Sequence, residues 1–254
     1  MARPRTYKTE AVVLRQMSLG EADRILTLYT TDLGKVRAVA RGVRRVNSRM
    51  RGHLELLNQV SISLSQGREL DVVIEVQIVQ SFRGLREDLP RLSRALYMAE
   101  LVDGFSVERA SSHEVYVLLL EALGWLERTA HADLLLRYFE IHLLAQSGYR
   151  PELYSCVECR TALEPDHHLF SCAAGGILCP DCRGGAGDAM VPISLNAMKV
   201  LRFLLREREY ARVEGLKVSA GLVREIEGVL RVYIRFLVER ELKSAAFVNL
   251  VSPK

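Results

Sequence analysis

Lys35-Val36-Arg37-Ala38-Val39-Ala40-Arg41-Gly42-Val43 alternates between two kinds of side chain, and this alternation decides the fold of the first third of the chain. Val36, Ala38 and Ala40 fall on one face; Lys35, Arg37, Val39 and Arg41 fall on the other. A period of two is what a strand imposes when one of its faces is buried. The same pattern extends outward in both directions. Downstream, Gln59–Ser65 sets Val60, Ile62 and Leu64 against Ser61, Ser63 and Ser65, and Leu70–Phe82 is rich in Val and Ile. Upstream, Arg24–Thr31 alternates, and Tyr7–Met17 contains Ala11-Val12-Val13-Leu14. Gly20, Asp32-Leu33-Gly34 and Gly67 mark the breaks. Five short strands predict a small antiparallel barrel. The OB-fold is the commonest five-stranded one, and an SH3-like barrel satisfies the same pattern.

The period changes after Arg83. Leu92–Val107 places Ala95, Leu96, Ala99 and Val102 at helical spacing. Ser111-Ser112-His113-Glu114 predicts a capping box opening a second helix through Trp125. Asp133–Ser147 predicts a third, stopping at Gly148. Ser194 is placed to cap a fourth running to Arg208, and a last helix is predicted over Gly221–Leu242. These helices are expected to pack as one bundle. The fold class is therefore α+β: residues 1–82 an OB-fold barrel domain, and 83–254 a helical domain interrupted by a cysteine-bearing segment at 150–190.

The composition is that of a soluble globular chain, with 49% apolar and 26% charged residues. No apolar run approaches the ~20 residues a membrane helix needs, and no signal peptide is read at the start. A cytoplasmic protein without membrane partners is expected. The net charge of +4 is unevenly placed. Residues 1–80 hold 13 Lys/Arg against 8 Asp/Glu, whereas 81–254 hold 22 against 23. The positive excess lies entirely in the strand-rich part, which points to a polyanionic partner there.

That excess centres on Lys35, Arg37, Arg41, Arg44, Arg45, Arg49 and Arg51, seven cations with no acidic residue between them. Lys35, Arg37 and Arg41 share a strand face, and the other four fall in the following loop. A basic groove on a small barrel suits single-stranded nucleic acid, and the planar guanidinium fork suits phosphate. Tyr7 and Tyr29 read as core residues rather than stacking platforms, so binding is expected to be mainly electrostatic. Glu21 and Asp23 read as groups that cap the Gly20 turn or hold nearby Arg side chains.

All five cysteines lie between Cys156 and Cys182. Cys156-Val157-Glu158-Cys159 and Cys179-Pro180-Asp181-Cys182 are two C-x2-C turns, each able to offer two thiolates to one tetrahedral ion. The expected ligands are Cys156, Cys159, Cys179 and Cys182, holding a structural Zn2+. Cys172 has no such partner and is left out; His167 and His168 read as exposed loop residues. Gly175-Gly176 is expected to allow a tight turn before the second pair. Four thiolates leave no open position for a catalytic water. The chain also lacks G-x-x-x-x-G-K-[ST], G-x-S-x-G and H-E-x-x-H. The chain reads as a non-enzyme with no catalytic residues. An RNA-binding or ribosome-associated barrel with a zinc segment is the alternative.

Leu19-Gly20-Glu21-Ala22-Asp23-Arg24-Ile25-Leu26-Thr27-Leu28-Tyr29-Thr30, followed by Gly34-Lys35, Ala40-Arg41-Gly42-Val43-Arg44-Arg45 and Ser48-Arg49, closely resembles the N-terminal domain of the bacterial recombination mediator family RecO. Phe170-Ser171 and Gly175-Gly176 before Cys179 resemble the zinc segment of that family. The resemblance runs the length of the chain. It implies binding of single- and double-stranded DNA, annealing of complementary strands, and help in loading recombinase onto DNA coated by single-strand-binding protein. The implied partners are RecR, the C-terminal tail of single-strand-binding protein, and RecF in the same pathway.

Overall fold

The computed structural model describes residues 6–164, 168–185, 189–239 and 242–251. Its first five strands are β1 (Thr6–Leu19), β2 (Asp23–Thr30), β3 (Gly34–Ala40), β4 (Gln59–Ser65) and β5 (Asp71–Gln80). They close into a barrel in the order β1-β2-β3-β5-β4. β1 serves two neighbours: Thr6–Val12 pair with β4, and Ala11–Leu19 pair with β2. An irregularity between Val13 and Arg15 bends the strand between these duties. β3 and β5 close the barrel through a short parallel pairing, Ala38 with Asp71 and Val39 with Val72. This is the OB-like architecture expected from the strand pattern.

The alternating residues explain the closure. Val13, Leu26, Leu28, Val36, Ala38, Val60, Ile62 and Leu64 all point inward and are buried. Each fully buried Val, Leu or Ile contributes roughly 1.5–3 kcal/mol. The seam is fixed by a buried carboxylate. Asp71 receives both contacts from Arg109 Nη2 at 2.8 and 2.9 Å, the Gly67 N–H at 3.0 Å, and the Tyr7 hydroxyl. Burial, and then Asp71 itself, push the Tyr7 hydroxyl well above its ordinary pKa. Gly34 opens β3 at φ +63°, and a Cβ there would lie 2.0 Å from the Ala110 carbonyl oxygen. Only glycine fits that approach.

The helices are α1 (Arg83–Glu87), α2 (Leu89–Phe105), α3 (His113–Leu126), α4 (Ala132–Gln146), α5 (Leu195–Arg206), α6 (Ala220–Val238) and α7 (Lys243–Val251). Asp88 caps α2 by accepting from the Arg91 N–H at 3.0 Å. Ser112, one residue later than expected, caps α3 by accepting from Val115 N–H at 3.3 Å, and its hydroxyl donates to Glu114 Oε2. Glu114 thus lies two residues from the cap, so the reciprocal box does not form. Ser194 caps α5 as expected. Ser219 caps α6.

The chain gathers into two compact units, Met1–Arg128 with Lys243–Lys254, and Thr129–Leu242. The helices therefore do not collect in one bundle. In the first unit α2 packs on β1, β2, α3 and α7, and Glu100 of α2 accepts from the Ser244 N–H of α7 at 2.8 Å. In the second unit α4, α5 and α6 pack together beside a three-stranded sheet. Its strands are β6 (His168–Ser171), β7 (Gly176–Leu178) and β8 (Met190–Ile193), in the order β7-β6-β8. Strands of three or four residues carry too little periodicity to be read from sequence. No described helix is long and apolar enough to cross a membrane.

Candidate nucleic-acid interface and metal centre

The basic loop, residues 41–58, is folded rather than draped. Val43 and Leu54 are buried in the barrel core, with Met50 and Leu56 packed against it. Asp23 Oδ1 accepts from the Gly42 N–H at 2.7 Å, and the Arg44 N–H reaches the Ala22 carbonyl at 2.9 Å. The Arg44 guanidinium donates to the Gly20 carbonyl at 3.0 Å. Asp23, the first residue of β2, thus holds the start of the loop through a backbone N–H, where a cap on its own turn or a hold on an Arg side chain was expected. On the far side Arg86 donates to the Leu56 carbonyl and to Asn58 Oδ1, both at 2.7 Å.

Arg37, Arg41, Arg44, Arg45, Arg49 and Arg51 are exposed. Among the described residues none of the six has a carboxylate within ion-pair distance. Lys35 is different. Its ammonium is 3.2 Å from Asp103 Oδ1 and donates to the Asp103 carbonyl at 2.7 Å, with both side chains largely buried. Lys35 ties β3 to α2 through Asp103 instead of facing solvent, and the segment after α2 runs beside it, with the Arg109 N–H on the Lys35 carbonyl at 2.8 Å.

The register adds a cation that the sequence reading missed. Arg15 on β1 lies opposite Thr27 on β2, and Thr27 lies opposite Arg37 on β3. Arg15 is exposed, so Arg15 and Arg37 flank Thr27 in one row on the outer face of the barrel. They are 22 positions apart in sequence, and only strand pairing brings them together. Tyr29 is 1% exposed and Tyr7 bonds Asp71, so neither offers a free stacking face.

The cysteines of the second unit form the other site. The Sγ atoms of Cys156, Cys159, Cys179 and Cys182 all lie within 4.8 Å of one another, and those of Cys159 and Cys179 are 3.8 Å apart. Four sulfurs at the tetrahedral Zn–S distance of ~2.3 Å would stand about 3.8 Å apart. The spacing and the donor set therefore fit a four-coordinate thiolate site for a metal ion. The backbone builds it from two directions. Cys156 N–H reaches the Thr161 carbonyl at 2.9 Å, Arg160 N–H returns to the Cys156 carbonyl at 3.0 Å, and Cys182 N–H closes a turn on the Cys179 carbonyl at 3.2 Å. Val157 N–H bonds the Ile177 carbonyl at 2.9 Å and holds the first turn against β7. Gly176 is needed there, since a Cβ would lie 2.6 Å from both the Glu152 carbonyl oxygen and a Val157 methyl. Gly175 turns the chain at φ +67°.

Burial alone would raise the Cys156 thiol. The N–H groups of Cys179, Cys159 and Glu158 overcome it and bring it down to about 6, toward the thiolate a metal requires. Cys172 stands outside the cluster and is buried, and burial pushes its thiol up to about 11. His168 is not an exposed loop residue. It is 3% exposed in β6, with Nε2 2.7 Å from the Glu164 carbonyl. His167 lies outside the described residues.

Comparison with known proteins agrees with this architecture. Residues 1–82 match the family described as Recombination protein O N terminal, and residues 86–246 match Recombination protein O C terminal. A DNA repair protein RecO from Dehalococcoides mccartyi (strain 195) is 40% identical over 252 residues, covering 99% of this chain and 98% of that protein. A DNA repair protein RecO from Roseiflexus sp. is 41% identical, covering 97% and 86% respectively. One from Symbiobacterium thermophilum is 39% identical, covering 96% of each. An OB-like barrel with an unpaired arginine face, a four-cysteine centre and two family matches that together span nearly all residues place this chain in the RecO family of DNA repair proteins.

Proposed function

We propose that this chain is a non-catalytic recombination mediator that binds single- and double-stranded DNA and anneals complementary strands. The observation that carries this reading is the group of exposed arginines without carboxylate partners among the described residues: Arg37, Arg41, Arg44, Arg45, Arg49 and Arg51. An arginine already paired within the protein gains little from a phosphate; an unpaired one gains a charge-assisted bond. Arg15 joins them through the strand register, while Lys35 serves the barrel. Annealing then needs no covalent step. Cations that neutralise phosphates on two strands reduce their repulsion, and complementary bases can meet.

The four thiolates would hold a structural Zn2+ that joins the two C-x2-C turns of the second unit. A filled tetrahedral shell has no site for substrate. In this role the protein works with RecR and RecF, and with the tail of single-strand-binding protein, to hand coated DNA to the recombinase. The test is annealing of complementary oligonucleotides in the presence of single-strand-binding protein with and without its tail. Acceleration that requires the protein and vanishes in an Arg37→Ala/Arg41→Ala/Arg45→Ala variant is expected. Acceleration unaffected by those substitutions would remove the basis of the reading.

A further inference from the structure

Beside the Arg15–Thr27–Arg37 row runs a second row with no charge in it. Met17 on β1 lies opposite Ile25 on β2, and Ile25 lies opposite Val39 on β3. All three side chains belong to the outer face: their strand neighbours Leu26, Ala38 and Ala40 fill the core, and these do not. Val39 is almost covered, but Met17 is 46% exposed and Ile25 is partly exposed. Leu19, two residues beyond Met17 on the same face of β1, is 42% exposed. A barrel has no structural need for aliphatic side chains on a solvent-facing surface. Arg41, in the turn just past the end of β3, follows Val39 by two residues, so Arg37 and Arg41 border this strip. Asp23, opposite Leu19, is already engaged with the Gly42 N–H. Glu21 lies beyond the end of the strip, in the turn.

We infer that the Met17–Ile25–Leu19 strip contacts the bases of a single DNA strand whose phosphates lie along Arg15, Arg37 and Arg41. This inference rests on the DNA-binding reading above and adds which side of the strand faces the protein. The two rows are offset by two residues along each strand, about 7 Å, a span over which the phosphate and the base of one nucleotide can reach neighbouring rows at once. Charge complementarity selects the occupant. The strip is one row wide, bordered by unpaired cations, and far smaller than the ~800 Å² per partner of a stable protein interface. Aliphatic contact holds a base without occupying its Watson–Crick edge, which stays available for a complementary strand. No aromatic side chain fixes the base, so little sequence preference follows.

The experiment compares a labelled oligothymidylate with an abasic oligonucleotide of the same length, which keeps the phosphates and lacks the bases. Affinities are read by fluorescence anisotropy at low and moderate salt. The wild-type chain is expected to favour the strand with bases by about fivefold, a ratio that persists as salt rises because it is not electrostatic. In Met17→Thr/Ile25→Thr the ratio falls toward one. Affinity for the abasic strand reports that the variant is folded. A wild-type ratio of one, or a variant that keeps the wild-type ratio, overturns the strip and assigns those side chains to a protein partner instead. Failure of the parent reading looks different: both oligonucleotides would then bind Arg37→Ala/Arg41→Ala as tightly as wild type.

Discussion

Lys35 and the Arg44-Arg45 pair sit in the same run of basic residues, yet the structure gives them opposite duties, and substituting each separates the two. Seven exposed arginines, Arg15 with the six of β3 and the loop, have no carboxylate partner among the described residues, and on the proposed reading these are the groups that meet phosphate. For a single strand each phosphate contact adds about −0.7 to the slope of log K against log salt, so full engagement gives about −5. Arg44→Gln with Arg45→Gln should flatten that slope by about 1.4 and weaken binding most at low salt. Lys35→Gln should leave the slope unchanged. Its cost falls on stability instead. The substitution leaves Asp103 without its partner in a pair whose side chains are 18% and 16% exposed, which costs roughly 2–3 kcal/mol. Fluorescence anisotropy on a labelled oligonucleotide across about 50 to 300 mM salt gives the slopes; urea denaturation gives the stabilities. A Lys35→Gln variant that loses about 0.7 of slope and keeps its stability would refute the division of labour argued here.

Three further outcomes are expected. Purified protein should carry about one zinc per chain by elemental analysis; Cys172→Ser should retain it and Cys159→Ser should lose it, and loss in the former would overturn the ligand assignment. Gly34→Ala should destabilise the barrel by about 2–3 kcal/mol in urea melts, because φ +63° and the Ala110 carbonyl both oppose a Cβ; an unchanged midpoint would mean that the approach can relax. Burial holds His142 neutral and lowers its pKa, although the Leu204 carbonyl favours the charged form. The unfolded chain therefore takes that proton more readily, and His142 contributes stability above pH ~6.5 that is lost as pH falls below it. Thermal melts between about pH 7.5 and 5.5 should show a smaller drop for His142→Gln than for wild type.

Much of this was legible locally. Alternation of Val36, Ala38 and Ala40 with Lys35 and Arg37 is enforced by a single strand's geometry, so five strands could be read one at a time. The paired C-x2-C turns likewise carry their ligand geometry within four residues each, and the Sγ cluster contains the four expected cysteines and excludes Cys172. Tertiary structure decided what depends on distant partners. Lys35 has the same local sequence signal as Arg37, and only the packing of α2, with Asp103, removes it from the solvent face. Arg15 has no basic neighbour in sequence, and only the β1–β2–β3 register aligns it with Arg37. The grouping of α7 with α2 arises in the same way, because which apolar faces meet is a property of the folded chain and not of any one helix. Sequence determined which elements form, since their periods are local; tertiary structure decided which charges remain free, since that depends on what packs beside them.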